Sequence, residues 1–378
     1  MNFEYSDEQR QLADSLGKYL ASHYDFEKRK AILNSASGFS DAAWATFAEM
    51  GLTAIAVPEA DGGFGGGAVD LMAAMEACGE ALVVEPLLDN IALAGRLVAR
   101  LGSDAQRAAL LPGLVDGSLR LAFASLEPGR RYELAPQTMI AQAQAQAQAE
   151  ATGWVLDGEK CVVIGAAAAH KLIVSARTGD GTSLFIVDPA AAGVTLNPCR
   201  TVDGLRAADV RLAGVMLGAD ALLGQPGGAL PAIEEATDFA TALLCADAVG
   251  AMKSANDATL DYMKTRKQFG VPIASFQVLQ HRMVEMYICT EQARSMAVLA
   301  ASKVDTCTDP AERARVVAMA KVKIADAARQ VSQESVQLHG GMGMTEELKI
   351  SHTFRRLTMA AQRFGDADHH LERYAALG

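Results

Sequence analysis

Residues 266–277 read Arg266-Lys-Gln-Phe-Gly-Val-Pro-Ile-Ala-Ser-Phe-Gln277, and residues 337–343 read Gln337-Leu-His-Gly-Gly-Met-Gly343. The first stretch separates two long helical patterns, about 230–265 and 275–305. The second ends a third, about 309–339, whose start is marked by Pro310 after Thr308-Asp309. A shorter pair follows near 346–361 and 366–376. Long helices joined by short turns predict an antiparallel bundle. Taken alone, Arg266 reads as a solvated arginine at a helix end, and His339 as a packed histidine.

Upstream of Gly224-Gln-Pro-Gly-Gly228 the period changes. Leu119–Leu126, Lys171–Ser175, Ser183–Val187 and Val210–Leu217 are short apolar or alternating runs, with turn residues such as Thr178-Gly-Asp-Gly-Thr182 between them. The alternating Ala and Gln of 141–149 fits a strand with Gln outward, and Gly153-Trp-Val-Leu-Asp-Gly158 reads as a strand and turn. The first ~115 residues read as helical. Ser6-Asp-Glu-Gln9 resembles a capping box ahead of Leu12, Leu16 and Leu20. A second helix runs from about Asp41 to a left-handed cap at Gly51. Pro58-Glu-Ala-Asp-Gly-Gly-Phe-Gly-Gly-Gly67 could be taken for a phosphate cradle, but it lacks a GK[ST] ending and follows no βα unit, so a tight structural turn is expected. The domains expected are 1–117 (helical), 118–222 (β) and 223–378 (helical bundle).

The chain has 378 residues, more than one ordinary core. Half are apolar and 21% charged, which suits a well-folded chain. The net charge of −11 argues against nucleic acid or anionic membrane as a partner. No signal peptide or membrane span is expected, so the expected location is cytoplasmic. The six cysteines are scattered without CxxC spacing, so reduced core thiols rather than a metal site are expected.

Glu127-Pro-Gly, Leu156-Asp-Gly-Glu-Lys160, the Arg266 block and the Gln337-Leu-His-Gly-Gly block occur in an order that resembles the acyl-CoA dehydrogenase family over essentially the whole chain. The resemblance implies that family's fold: mainly α, with an N-terminal helical domain, a central β-barrel-like domain and a C-terminal antiparallel four-helix bundle, Leu156–Lys160 falling in a hairpin of the β-domain. It implies FAD as cofactor, an acyl-CoA as substrate and electron-transfer flavoprotein as electron acceptor, within β-oxidation and lipid metabolism. Its adenine and pyrophosphate contacts map onto Arg266, Gln268, Phe269, Gln277, Gln337, Gly340 and Gly341. An Arg fork suits pyrophosphate oxygens, and paired glycines admit close backbone approach. In the family these segments serve the flavin of a neighbouring subunit.

The departures carry as much information. The flavin-ring contacts of the family, a Thr and a Trp-x-Thr pair, correspond here to Leu126, Val162 and Ile164, whose side chains cannot hydrogen-bond. The Gly-Ser-Asp segment that contacts acyl-CoA is replaced by Arg130-Arg131-Tyr132-Glu133. The commoner position of the catalytic Glu is Phe364, the alternative one falls near Ala240, and Thr241 replaces the Arg after it. Asp238 and Asp366 lie close by, and each reads as a helix N-terminal or capping carboxylate. Phe364-Gly-Asp-Ala-Asp-His-His-Leu, Tyr24-Asp-Phe-Glu-Lys-Arg and Asp61-Gly-Gly-Phe-Gly-Gly-Gly are similar to the small subunits of heterotetrameric bacterial acyl-CoA dehydrogenases, pimeloyl-CoA dehydrogenase among them. This implies a large partner subunit in an α2β2 particle that makes a trans-2-enoyl-CoA. A homotetramer with its own FAD and a displaced carboxylate base, and a flavin-free structural paralogue, are the alternatives.

Overall fold

The computed structural model describes residues 6–145 and 152–377. Helices α1 (Asp7–His23), α2 (Phe26–Asn34), α3 (Asp41–Glu49) and α4 (Ala68–Ala81) are followed by a π-helical stretch, Leu88–Gly95, that runs into α5 (Arg96–Leu101) and then α6 (Asp104–Val115). Strands β1 (Leu121–Ala124), β2 (Ile140–Ala145), β3 (Thr152–Ile164), β4 (Lys171–Thr178), β5 (Gly181–Val187), β6 (Val194–Arg200), β7 (Arg206–Leu217) and β8 (Leu222–Leu223) come next. Helix α7 (Leu230–Thr265), a hairpin of β9 (Lys267–Gln268) and β10 (Val271–Pro272), and helices α8 (Gln277–Thr306), α9 (Pro310–His339), α10 (Lys349–Gln362) and α11 (Ala367–Ala376) complete the chain.

The contacts divide into two compact units. One comprises Ile32–Gly66 and Val84–Ala240 and holds the sheet, in the order β6-β7-β3-β2-β4-β5-β8 with β1 on β4. Its pairings are antiparallel except those of β4 with β1 and β2. Ala122, Leu156, Val174, Phe185, Val210 and Val215 form the core of the sheet. Trp44 Nε1 donates to the Gly117 carbonyl at 2.8 Å and Thr53 Oγ1 to that of Val115 at 2.7 Å, which fixes α3 and its following loop to the end of α6. The glycine-rich loop is a structural turn. Its N–H groups at Gly62, Gly63, Phe64, Gly65 and Gly66 are all donated to carbonyls of residues 54–59, so these five have nothing to offer a phosphate.

The other unit comprises Met1–Ala31, Gly67–Val83 and Thr241–Gly378 and is helical wherever regular, apart from the short hairpin. Its first helix starts on the expected capping box, with Ser6 and Gln9 exchanging side-chain and backbone hydrogen bonds. Helices α4 and α7 cross in van der Waals contact of backbones. A Cβ on Gly79 would collide with the Asp247 carbonyl, and one on Gly250 with that of Glu76. Asp247, itself buried, receives a bidentate pair from Arg356 of α10 at 2.7 and 2.9 Å.

Several expectations need correction. The sequence reading passes over α2, a short helix whose charged residues give little periodicity. It also passes over β6, which alternates partly buried with exposed residues. Gly153–Gly158 is no strand-and-turn, nor Leu156–Lys160 a hairpin, because β3 runs on to Ile164. The Asp157-Gly158 pair sits at a register shift against β7, where Asp157 Oδ1 accepts the Gly214 N–H at 2.7 Å. The described part of the Ala/Gln run is strand, and its continuation to 149 lies outside the described residues. All six cysteines are free thiols. No described helix is long and apolar enough to cross a membrane.

Candidate active site and flavin-binding segments

Helix α7 ends at Thr265, and its last residues lead into the hairpin that carries the first segment. The Arg266 N–H donates to the Tyr262 carbonyl and the Ile273 N–H to that of Arg266, both at 2.8 Å, so the hairpin hangs rigidly from the helix end. The second segment ends α9. Gly340 caps that helix at φ 62°, a conformation in which a Cβ is unfavourable. Tyr262 and His339 bring the two segments together by stacking, with ring centroids 4.4 Å apart. His339 Nδ1 donates to the Ser335 carbonyl at 2.8 Å, and burial holds its pKa down despite that bond, so the ring is neutral.

Around this stack the expected contacts face solvent. Arg266, Gln268, Gln277, Gln337, Gly340 and Gly341 are exposed, and Phe269 is 90% exposed with only an edge contact to Phe276. Among the described residues the Arg266 guanidinium has no hydrogen-bond or ion-pair partner. Nothing lies within 4 Å of a Cβ built on Gly340 or Gly341. An unpaired fork, an uncovered aromatic face and open glycine backbone fit the pyrophosphate and adenine of a dinucleotide.

The other expected segment lies on β3 and the loop after β1. Its anchor is an ion pair that sequence reading did not single out. Glu127 and Lys160 are both buried, 3.1 Å apart. Glu127 also accepts the N–H groups of Gln137, Thr138 and Met139 and the Thr138 hydroxyl, at 2.8–2.9 Å. Burial alone would raise its pKa, but these donors and Lys160 outweigh burial and hold it at about 2. Burial lowers the pKa of Lys160 to about 8, with Glu127 opposing. Lys160 further donates to the Ser125 carbonyl and to Ser175 Oγ, at 3.0 and 3.1 Å. The signal for this pair was the Glu-Pro-Gly turn itself, whose carboxylate is structural.

Leu126 and Val162 are joined through this frame, since the Cys161 N–H donates to the Leu126 carbonyl at 2.8 Å. Val162 lies in a bulge of β3 against β7 with φ +50°, an unusual conformation for a β-branched residue, and is 41% exposed. Its N–H is donated to Asp209 Oδ1 at 2.9 Å, and that of Gly165 to the Arg206 carbonyl. Neither the side chains of Leu126, Val162 and Ile164 nor the amides of residues 161, 162 and 165 are free to hydrogen-bond a flavin ring here. The side chains at the ring-side positions do not supply the hydrogen bonds that the polar edge of a flavin needs.

No carboxylate occupies either expected base position. Phe364 has φ +61°, and its carbonyl accepts from His370 Nε2 at 3.0 Å. Buried Lys321 donates to the carbonyls of Gly365 (2.7 Å) and Ala361 (3.1 Å), so the loop is held from below by two nitrogen donors. Asp366 caps α11 by accepting the His369 N–H at 2.9 Å, as its sequence position suggested. Asp238 does not stand at a helix terminus. It is fully buried in the interior of α7, whose first residue is Leu230, so its expected role at a helix terminus is corrected. Ala240 is buried beside it. Among the described residues no cluster of His, Cys, Asp and Glu could hold a metal ion.

Comparison with known proteins agrees with this architecture. The acyl-CoA dehydrogenase N-terminal, middle and C-terminal domain families match residues 6–118, 122–215 and 230–376. The chain is similar to acyl-CoA dehydrogenase FadE12 of Mycobacterium tuberculosis, 31% identical over 82% of this chain and 80% of that one. Among solved structures it resembles a variant of the Tcur3481-Tcur3483 steroid ACAD, with a TM-score of 0.86 and 30% identity over 98% and 97% of the two chains. It also resembles PigA, solved with FAD and proline, with a TM-score of 0.88 and 25% identity over 100% and 98%. With three domain families matched in order and the fold shared along its length, the chain belongs to the acyl-CoA dehydrogenase family of FAD-dependent oxidoreductases.

Proposed function

We propose that this chain is the small subunit of a heteromeric FAD-dependent acyl-CoA dehydrogenase. In this reading Arg266, Gln268, Phe269, Gln277, Gln337, Gly340 and Gly341 hold the adenine and pyrophosphate of a flavin whose ring lies in a larger partner subunit. The observation that carries the reading is an asymmetry: the adenine-side set is complete and exposed, while the ring-side positions are Leu126, Val162 and Ile164 and the base positions are Phe364 and Ala240. When bound, FAD supplies the hydride acceptor for α,β-dehydrogenation of an acyl-CoA to a trans-2-enoyl-CoA. The α-proton needs a carboxylate, which the partner subunit provides.

The likeness to a two-component steroid ACAD supports a heteromer. So does the exposed apolar surface beside the adenine-side set, where Phe269, Val271, Val278, Met342 and Met344 await cover. In this reading the chain divides into domains 1–117, 118–222 and 223–378. Electron-transfer flavoprotein is the electron acceptor. The test is co-expression with a candidate large dehydrogenase subunit that carries the catalytic Glu, followed by native mass spectrometry. An α2β2 particle with two FAD is expected, and a homotetramer with four would overturn the reading.

A further inference from the structure

The adenine-side segment Gly340–Met344 joins α9 to α10 and is held differently at its two ends. On the α9 side Gly340 caps the helix, and the Tyr262–His339 stack fixes the last turn. On the α10 side Leu348 precedes Lys349 without a side-chain capping bond. Gly340, Gly341, Met342 and Met344 are exposed. Thr345 closes the turn onto the Met342 carbonyl, by its N–H at 3.2 Å and its hydroxyl at 3.0 Å. A short exposed turn keeps one conformation only if something outside it fastens it.

The fastening comes from a buried pair, Arg29 and His352, 1% and 6% exposed. Arg29 lies on α2, and its Nε donates to the Leu82 carbonyl at the end of α4, at 2.6 Å. Its Nη1 stands 3.0 Å from Nδ1 of His352, which lies in the first turn of α10. A guanidinium only donates, so Nδ1 accepts and the ring proton lies on Nε2. Burial, then the charges of Arg29 and Arg355, hold the His352 pKa below its ordinary 6.5 against the opposing Glu346. The ring is therefore neutral at pH 7.

The Nε2 proton points at Glu346, with Nε2 3.2 Å from its Oε2 and 3.3 Å from its carbonyl. Arg355 donates to the same carboxylate at 2.8 Å. Phe26 packs edge-on against the imidazole, with centroids 4.9 Å apart, and limits its rotation. Arg29 thus donates to His352 and His352 to Glu346. The relay ties residue 346, two positions beyond the segment, to α2 and the end of α4.

We propose that His352 is a positioning residue for FAD, holding Gly340–Met344 through Glu346 in the conformation that receives the pyrophosphate end. The proposal rests on the flavin-binding role given above to Gly340 and Gly341, and two measurements separate the tether from that role. Hydrogen exchange read by mass spectrometry follows residues 340–348 in the purified chain without flavin. Fluorescence titration follows FAD affinity in the assembled complex. His352→Leu should speed exchange of the segment and weaken FAD binding, each by roughly two- to tenfold, the worth of one hydrogen bond. His352→Gln should restore both, because its amide offers an acceptor and a donor spaced like the two ring nitrogens. His352→Phe, which keeps a ring against Phe26 but neither hydrogen bond, should behave as His352→Leu and decides the matter if that variant does not fold. Circular dichroism checks folding of each. Unchanged exchange in the folded Leu or Phe variant overturns the tether. So does a His352→Gln no better than His352→Phe, since ring packing alone would then hold the segment. Faster exchange with undiminished FAD affinity overturns the positioning role and places the fault in the flavin reading of Gly340 and Gly341.

Discussion

Tyr262 and His339, 77 positions apart, stack at 4.4 Å with their planes 26° from parallel, and each sits within four residues of a segment expected to hold FAD. The stack therefore sets the spacing of Arg266 and Gly340. Tyr262→Ala should lower FAD retention in the assembled complex by about two- to tenfold, the range for an aromatic pair. Tyr262→Phe should restore it, because the ring rather than the hydroxyl makes the contact. Equal flavin content in all three proteins would detach the stack from the site.

Arg266→Ala removes the fork itself. Losing one charge-assisted phosphate pair costs about 1.5–3 kcal/mol, so FAD affinity should fall roughly ten- to a hundredfold. Arg266→Lys should recover part of it, since lysine keeps the charge without the planar fork. Fluorescence titration of released flavin measures both, and an unchanged alanine variant would remove Arg266 from the site.

The buried Glu127–Lys160 pair should make the sheet-bearing unit acid-sensitive. The Glu127 pKa is about 2 in the folded chain, against an ordinary value of 4.5. Between those values the unfolded chain binds a proton that the folded one does not. The stabilisation is therefore complete above about pH 4.5 and is lost as the pH falls toward 2. Glu127→Gln should flatten urea stability across this window. At neutral pH it should cost about 3–5 kcal/mol, because Lys160 is left buried without its counter-charge. A variant as stable as the parent at pH 7 would contradict the structural role assigned to Glu127.

Gly250 offers a test of the helical unit. A Cβ in place of its Hα would collide with the Glu76 backbone carbonyl, so Gly250→Ala must push α4 and α7 apart. Overpacking of this kind costs about 1–3 kcal/mol even when side chains can adjust, and here the obstacle is backbone. A thermal midpoint unchanged from the parent would show that the helices separate freely.

Most of the architecture was legible because its signals are local. The bundle helices α7, α8 and α9 begin and end within two residues of the expected positions, since caps such as Asp309-Pro310 and breaks such as Gly270 and Gly340 are written into single residues. The long strand β3 was misread because Asp157-Gly158 is a turn signal in isolation, and only pairing with β7 converts it to a bulge. Asp238 lies eight residues inside a helix whose start near 230 is legible, which already excludes a terminal role, and only its burial depends on packing that the sequence does not encode. The Glu127–Lys160 pair joins residues 33 positions apart, and the Lys321 clamp on the Phe364 loop spans 40 or more. Such contacts depend on tertiary packing, which periodicity does not encode.

The last prediction concerns the chain without its partner. Phe364 and Ala240 stand at the expected base positions, Asp366 is committed to capping α11, and the amides of Cys161, Val162 and Gly165 are already donated within the sheet-bearing unit. A dehydrogenation that lacks its general base loses about 10²–10⁴ in rate, and a flavin ring without polar contacts is poorly oriented for hydride transfer. Purified chain with added FAD, a panel of acyl-CoAs and an artificial electron acceptor should therefore show negligible turnover, restored when the large subunit is added. Asp238→Asn and Asp366→Asn, assayed in the complex, should leave that turnover within a few-fold of the parent, provided both variants assemble. Should the chain alone match the complex, with Asp238→Asn or Asp366→Asn abolishing activity, the base is displaced rather than missing. The homotetrameric enzyme then replaces the small-subunit reading.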